Sequence, residues 1–183
     1  MDTTFQHHVL KRLSGFRYTS YLKYVPIVAL LLFMPKKLVL YSIFVGITAV
    51  IIYYTKLMHF PIDISPLFFL EIVITRYYGL GYSLLYIFLA YIIPKTIAGQ
   101  SMNWMCYIFI SLSMVANVFV LFFPSMPLQT VGFLTSVIQY ILGVMFQSSF
   151  KPLMLSLADG FANVLNNIVW FLIFSDLIVF AFR

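Results

Sequence analysis

Three asparagines within five residues, Asn163, Asn166 and Asn167, interrupt a run that otherwise reads Phe, Val, Leu, Ile and Trp. An amide without a partner is costly in hydrocarbon, so a set of three implies packing against something or binding it. Asp159, Asn163, Asn166 and Trp170 fall at i, i+4, i+7 and i+11, one stripe of a helix. That stripe is expected to face protein or a cavity, not lipid. Gln139 and Gln147 belong to the preceding apolar segment, and Asn103 and Trp104 begin the one before it. With the chain folded back and forth, all of these reach the same side of the membrane. Amides supply donors and acceptors and indole rings supply stacking area, so Asn103, Trp104, Gln139, Asn163, Asn166, Asn167 and Trp170 are candidate ligand-binding residues. They suit a small, largely uncharged or aromatic solute. The competing reading is that the amides cross-link helices, at about 0.6 kcal/mol each.

Charged residues inside the apolar segments are few. Glu71 and Arg76 are five residues apart, about 140° around a helix, which turns them away from each other. Arg76 is expected instead to meet Asp176 as a structural ion pair between two helices. Glu71 lies about 7.5 Å deeper along the axis than Arg76. It is a candidate functional carboxylate whose partner cannot be read from the sequence. Asn117 reads as an interhelical contact.

No catalytic signature occurs: there is no His-Glu-x-x-His helix, Gly-x-Ser-x-Gly elbow, Gly-rich phosphate loop or paired Asp motif. No catalytic residue, metal site or cofactor is expected, and the chain does not read as an enzyme. His59 and Asp63 offer too few ligands for a metal, and Pro61 between them breaks a helix. The single cysteine, Cys106, excludes an intrachain disulfide and reads as a small buried hydrophobe.

These residues need a helical membrane bundle to position them. With 63% hydrophobic and only 9% charged residues, the chain cannot cover a soluble surface, for which about 25–35% charge is usual. The fold class is therefore all-α, a polytopic transmembrane helical bundle occupying residues 24–183. Residues 1–23 carry Lys11, Arg12, Arg17 and Lys23 against Asp2, and read as a basic amphipathic cytoplasmic arm on anionic headgroups rather than a nucleic-acid site. They lack the apolar core of a cleavable signal peptide.

Val25–Met34 is too short to span and reads as a re-entrant or interfacial helix. Six spans follow: Leu38–Leu57, Leu67–Tyr78, Tyr82–Ile93, Trp104–Phe123, Leu128–Phe146 and Phe161–Phe182. There are seven if Val25–Met34 crosses, and Leu67 to Ile93 is a single tilted helix in a further alternative. Gly79 and Gly81 mark a reversal, Pro94 and Lys95 an end, and Asp159 a helix N-cap. Ser42, Gly46, Ala49 and Tyr53 form one small-residue stripe, and Gly132, Ser136, Gln139 and Gly143 another. With six spans and both termini inside, 8 of the 11 Lys and Arg residues lie on the cytoplasmic side of the cell membrane.

The run Pro61-Ile-Asp-Ile-Ser-Pro-Leu-Phe-Phe, then Arg76-Tyr-Tyr-Gly79, then Ile93-Pro-Lys-Thr-Ile-Ala-Gly99 and an Asn-bearing last helix resembles the substrate-binding S components of energy-coupling-factor transporters. It is also similar to the rod-shape-determining inner-membrane scaffold family, with its Pro-Asp connection followed by short and Gly-containing spans. The first resemblance implies capture of a small solute from outside, with transmembrane and ATPase partners supplied by other chains. The second implies protein partners and no ligand. The first expectation is thus a membrane-embedded, non-enzymatic binding subunit working with other membrane subunits; the alternative is a scaffold or assembly subunit of a membrane complex.

Overall fold

The structure is a computed structural model that describes residues 35–58 and 64–182. The described residues from Tyr41 onward belong to one compact unit. The basic arm, Val25–Met34, His59, Asp63 and Arg183 lie outside the described residues. Every regular element among the described residues is helical.

Helix α1, Lys36–Leu57, rises about 33 Å, enough for the ~30 Å hydrocarbon layer. From Tyr41 onward its buried residues are Tyr41, Phe44, Thr48, Ile52 and Thr55, a stripe of helical period. The small-residue stripe expected through Ser42 and Gly46 is not the packing face: both are exposed, and a Cβ added at Gly46 meets nothing within 4 Å. Larger side chains won this contact because Tyr41 and Thr48 carry hydroxyls that reach the next layer. Tyr41 donates to the Tyr82 carbonyl at 3.1 Å, and Thr48 and Tyr86, both fully buried, share a hydrogen bond of 2.8 Å. Tyr86→Phe is expected to leave the Thr48 hydroxyl unpaired and to lower the unfolding free energy by about 1 kcal/mol. Denaturant titration of the purified variant measures this, and a loss near zero would show the bond contributes nothing.

Helix α2, Leu67–Tyr78, is only 12 residues, about 18 Å, yet Phe68 to Thr75 are buried without a break. A helix apolar all round belongs in a core, and here α2 is wrapped by the helices that follow it. The reversal expected at Gly79 is present. Gly79 takes φ +94°, a conformation that L side chains rarely adopt, and its N–H closes α2 on the carbonyls of Ile74 and Thr75.

The chain then runs helically from Leu80 to Ile97, as α3 (Leu80–Ile87), a π turn (Phe88–Ile92) and α4 (Ile93–Ile97). Pro94 was expected to end this segment and does not. The Ile93 N–H bonds the Phe88 carbonyl five residues back, and the wider turn makes room for the proline ring where α geometry would clash. The stop comes at Gly99, φ +80°, with Gly99 N–H on Thr96 and Gln100 N–H on Lys95, a Schellman closure.

Helices α5 (Trp104–Phe122), α6 (Leu128–Gln147) and α7 (Leu153–Ala181) complete the bundle. The stripe on α6 is borne out: Gly132, Ser136 and Gly143 are buried, with Gly132 against Phe171 of α7. Helix α7 starts eight residues earlier than expected, directly after Pro152, so Asp159 does not cap it. Asp159 sits inside the helix and pairs with Lys151 at 3.2 Å. Gly160 does not break the helix because it is where the Tyr140 ring of α6 approaches: a Cβ there would lie 2.8 Å from that ring.

Among the described residues, five helical runs are long and apolar enough to cross a membrane: Lys36–Leu57, Leu80–Ile97, Trp104–Phe122, Leu128–Gln147 and Leu153–Ala181. These runs identify an integral membrane protein with faces suited to lipid. The expected count of six included Leu67–Tyr78, which is too short to reach across alone and is covered by other helices instead of lipid.

Candidate functional site

The half-length α2 sets the geometry of the site. Its first residues lie beside the middle of α7: Asn166 Nδ2 donates to the Ser65 carbonyl at 3.1 Å, and Trp170 Nε1 to the Ile64 carbonyl at 3.3 Å. Its last turn reaches the α5–α6 connection, where Arg76 Nη2 donates to the Pro124 carbonyl at 2.9 Å. Helix α2 therefore lines only one end of the bundle. Toward the opposite end, where α1 and α6 finish and α5 and α7 begin, lies a cavity of about 450 Å³.

Of the residues expected to bind a solute, Asn103, Gln139, Asn163, Asn166 and Asn167 all line this cavity. Asn103 also caps α5, accepting from the Cys106 N–H at 3.0 Å. Asn167, buried, donates to Gln139 Oε1 at 3.4 Å and joins α7 to α6. The two expectations for the amides therefore hold for different atoms: part of each set ties helices and part faces the cavity. Asn163 makes no hydrogen bond to a described residue and is exposed toward the cavity.

Trp104 and Trp170 do not line it. Trp104 packs edge-on against Phe146 and Phe150, and Trp170 stacks with Phe69 and Phe174. The stripe places Trp170 one further turn along α7, level with the start of α2, so α2 takes the ring. The aromatic wall of the cavity comes instead from Phe68, Tyr91, Phe109 and Tyr140, which no polar spacing in the sequence marks out.

Glu71 and Ser113, both buried, also line the cavity. Glu71 is 2% exposed. Ser113 Oγ donates at 2.7 Å, equidistant from both carboxylate oxygens, and Asn117 Nδ2 donates to Oε1. Asn117 also reaches Ser83 Oγ at 3.5 Å, so one amide gathers α2, α3 and α5. This supplies the partner of Glu71 that spacing could not reveal. Among the described residues Glu71 forms no ion pair.

Arg76 and Asp176 line a second, smaller hollow of about 340 Å³ but form no ion pair within 4.0 Å. The expected pair fails for an angular reason. Ser175 is on the buried stripe of α7, and Asp176, one residue on, is turned about 100° outward, while the guanidinium is captured by the carbonyl of Pro124.

Gln147, read from the sequence as lying on this side of the membrane but not as a binding residue, is 6% exposed, and its Oε1 has no hydrogen-bond partner among the described residues. Lys95, also buried, donates to Cys106 Sγ at 2.7 Å, and that sulfur reaches Asn103 Oδ1 at 3.0 Å. Cys106 is therefore a polar link beside the cavity rather than an inert filler. No group of three or more His, Cys, Asp or Glu comes together among the described residues. No family model, curated protein or solved structure matches the chain.

Proposed function

We propose that this chain is a membrane-embedded binding subunit that captures a small solute in the cavity beside α2. The observation carrying this reading is the convergence of Asn103, Gln139, Asn163, Asn166 and Asn167, from three helices, on one cavity of about 450 Å³. That volume lies within the usual range for small-molecule sites, and a few convergent polar groups among aromatic walls are what such sites use for orientation. In this reading the cavity mouth is outward, both termini are cytoplasmic in the cell membrane, and the basic arm rests on anionic headgroups. Other membrane subunits receive the solute, as the resemblance to transporter S components implies.

The second reading is a scaffold without ligand. It is favoured by the bonds from Asn166, Asn167 and Trp170 to Ser65, Gln139 and Ile64, which hold helices together whether or not the cavity is used. Asn163 separates the two, because it faces the cavity without holding a neighbouring helix. Small molecules retained by the purified protein are to be identified by mass spectrometry, and their binding measured in wild type and Asn163→Leu. The expected result is at least about a tenfold loss of affinity with the unfolding midpoint unchanged, the value of one or two hydrogen bonds to the solute. If nothing is retained, or if Asn163→Leu binds as wild type does, the scaffold reading takes its place.

A further inference from the structure

The buried carboxylate on the cavity wall narrows the class of solute. Glu71 contributes a carboxylate that accepts from two neutral donors, Ser113 and Asn117, and it meets no cation among the described residues. A buried carboxylate without a counter-charge is expensive in a bilayer-embedded bundle, and neutral donors offset only part of that cost. Gln147 adds a second acceptor to the same cavity: its Oε1 is buried and has no donor among the described residues. The remaining charges on the cavity wall are Lys56, Lys151 and Asp159, of which Lys151 and Asp159 pair with each other at 3.2 Å and are about half exposed. An uncompensated carboxylate and an acceptor without a donor among the described residues thus line the wall, with the rings of Phe68, Tyr91, Phe109 and Tyr140. Aromatic faces favour a cation or a flat body.

We infer that the solute carries a cationic nitrogen, a protonated amine or an amidinium-like group, which seats on Glu71 in the cavity wall. This rests on the binding-subunit reading and revises the expectation of a largely uncharged solute: the amides serve the body of the molecule and Glu71 its charge. An amidinium presents two N–H donors, and a carboxylate has acceptor capacity on both oxygens beyond the bonds from Ser113 and Asn117.

Three probes of one shape and different charge test this on the purified full chain: benzamidine, benzamide and benzoate, compared by calorimetric titration. The expected order is benzamidine at least about tenfold tighter than benzamide, with benzoate weakest, since a hydrogen bond to a buried charge exceeds one to a neutral group by about that factor. Glu71→Gln, which keeps the shape, is expected to bring benzamidine down to the level of benzamide. Equal binding of benzamide and benzamidine by the wild type overturns the inference and points to a protonated Glu71 and a neutral solute. A preference for benzamidine that survives in Glu71→Gln overturns it too, by placing the charge recognition elsewhere. Binding of none of the three removes the solute reading itself, and the inference with it. Should Glu71→Gln not fold, the ordering of the three probes on the wild type decides alone.

Discussion

An Asn117→Leu variant is expected to lose about 2–3 kcal/mol of unfolding free energy, one of the two largest single-residue effects in this bundle. Asn117 is fully buried, and its amide is one of the two neutral donors on Glu71. Leucine has the same number and branching of heavy atoms but larger methyl groups, so part of the loss is packing strain and the rest comes from a carboxylate left with Ser113 alone. The origin can be separated from packing by a double-mutant cycle. In a Glu71→Gln background the charge is gone, and Asn117 Oδ1, buried without a partner among the described residues, can turn to accept from the new amide. There the same Asn117→Leu change is expected to cost less, with a coupling of about 1–2 kcal/mol between the two positions. Denaturant titration in micelles, followed by Trp fluorescence, measures all four species. Zero coupling would mean that Asn117 merely fills space between α2, α3 and α5.

Gly132→Ala is expected to cost about 2 kcal/mol, although alanine is the better helix former by about 1 kcal/mol. The added Cβ would overlap the ring of Phe171, which is fully buried. That ring cannot simply retreat, because it packs edge-on against Phe69 of α2 at 4.9 Å. The strain therefore passes from the α6–α7 contact into the short central helix. Gly46→Ala is the internal comparison: it makes the same chemical change on α1 where nothing lies within 4 Å, and is expected to be neutral or stabilising by up to about 1 kcal/mol. The same titration applied to both variants checks the contrast, and similar values would show that α6 and α7 are not closely apposed at Gly132.

The contrast between Gly46 and Gly132 also shows what a sequence can and cannot specify. Both glycines stand on small-residue stripes of helical spacing, and nothing local distinguishes them. Whether such a stripe is used depends on what the neighbouring helix offers. Helix α7 brings Phe171 to Gly132, whereas Tyr86 draws α1 onto the face of Thr48 instead. The reversal at Gly79 was legible because left-handed φ is a property of one residue. The passage of the helix through Pro94 was not, because it depends on a π turn that spreads the accommodation over five residues.

Composition and hydrophobic run length by themselves determined that this is a helical membrane protein, where most of its helices lie, and that polar residues gather toward the end of α7 nearer the α6–α7 turn. Those properties are sums over residues, or depth along an axis at 1.5 Å per residue, and need no knowledge of a partner. Only the tertiary structure decided that Asn103, Gln139, Asn163, Asn166 and Asn167 share one cavity while Trp104 and Trp170 stand outside it, that Gln147 joins them, that Glu71 is met by Ser113 and Asn117, and that Asp176 misses Arg76. Each of these is a question of angle around a helix. One residue turns a side chain by 100°, and which angle faces inward is set by every other helix packed against it.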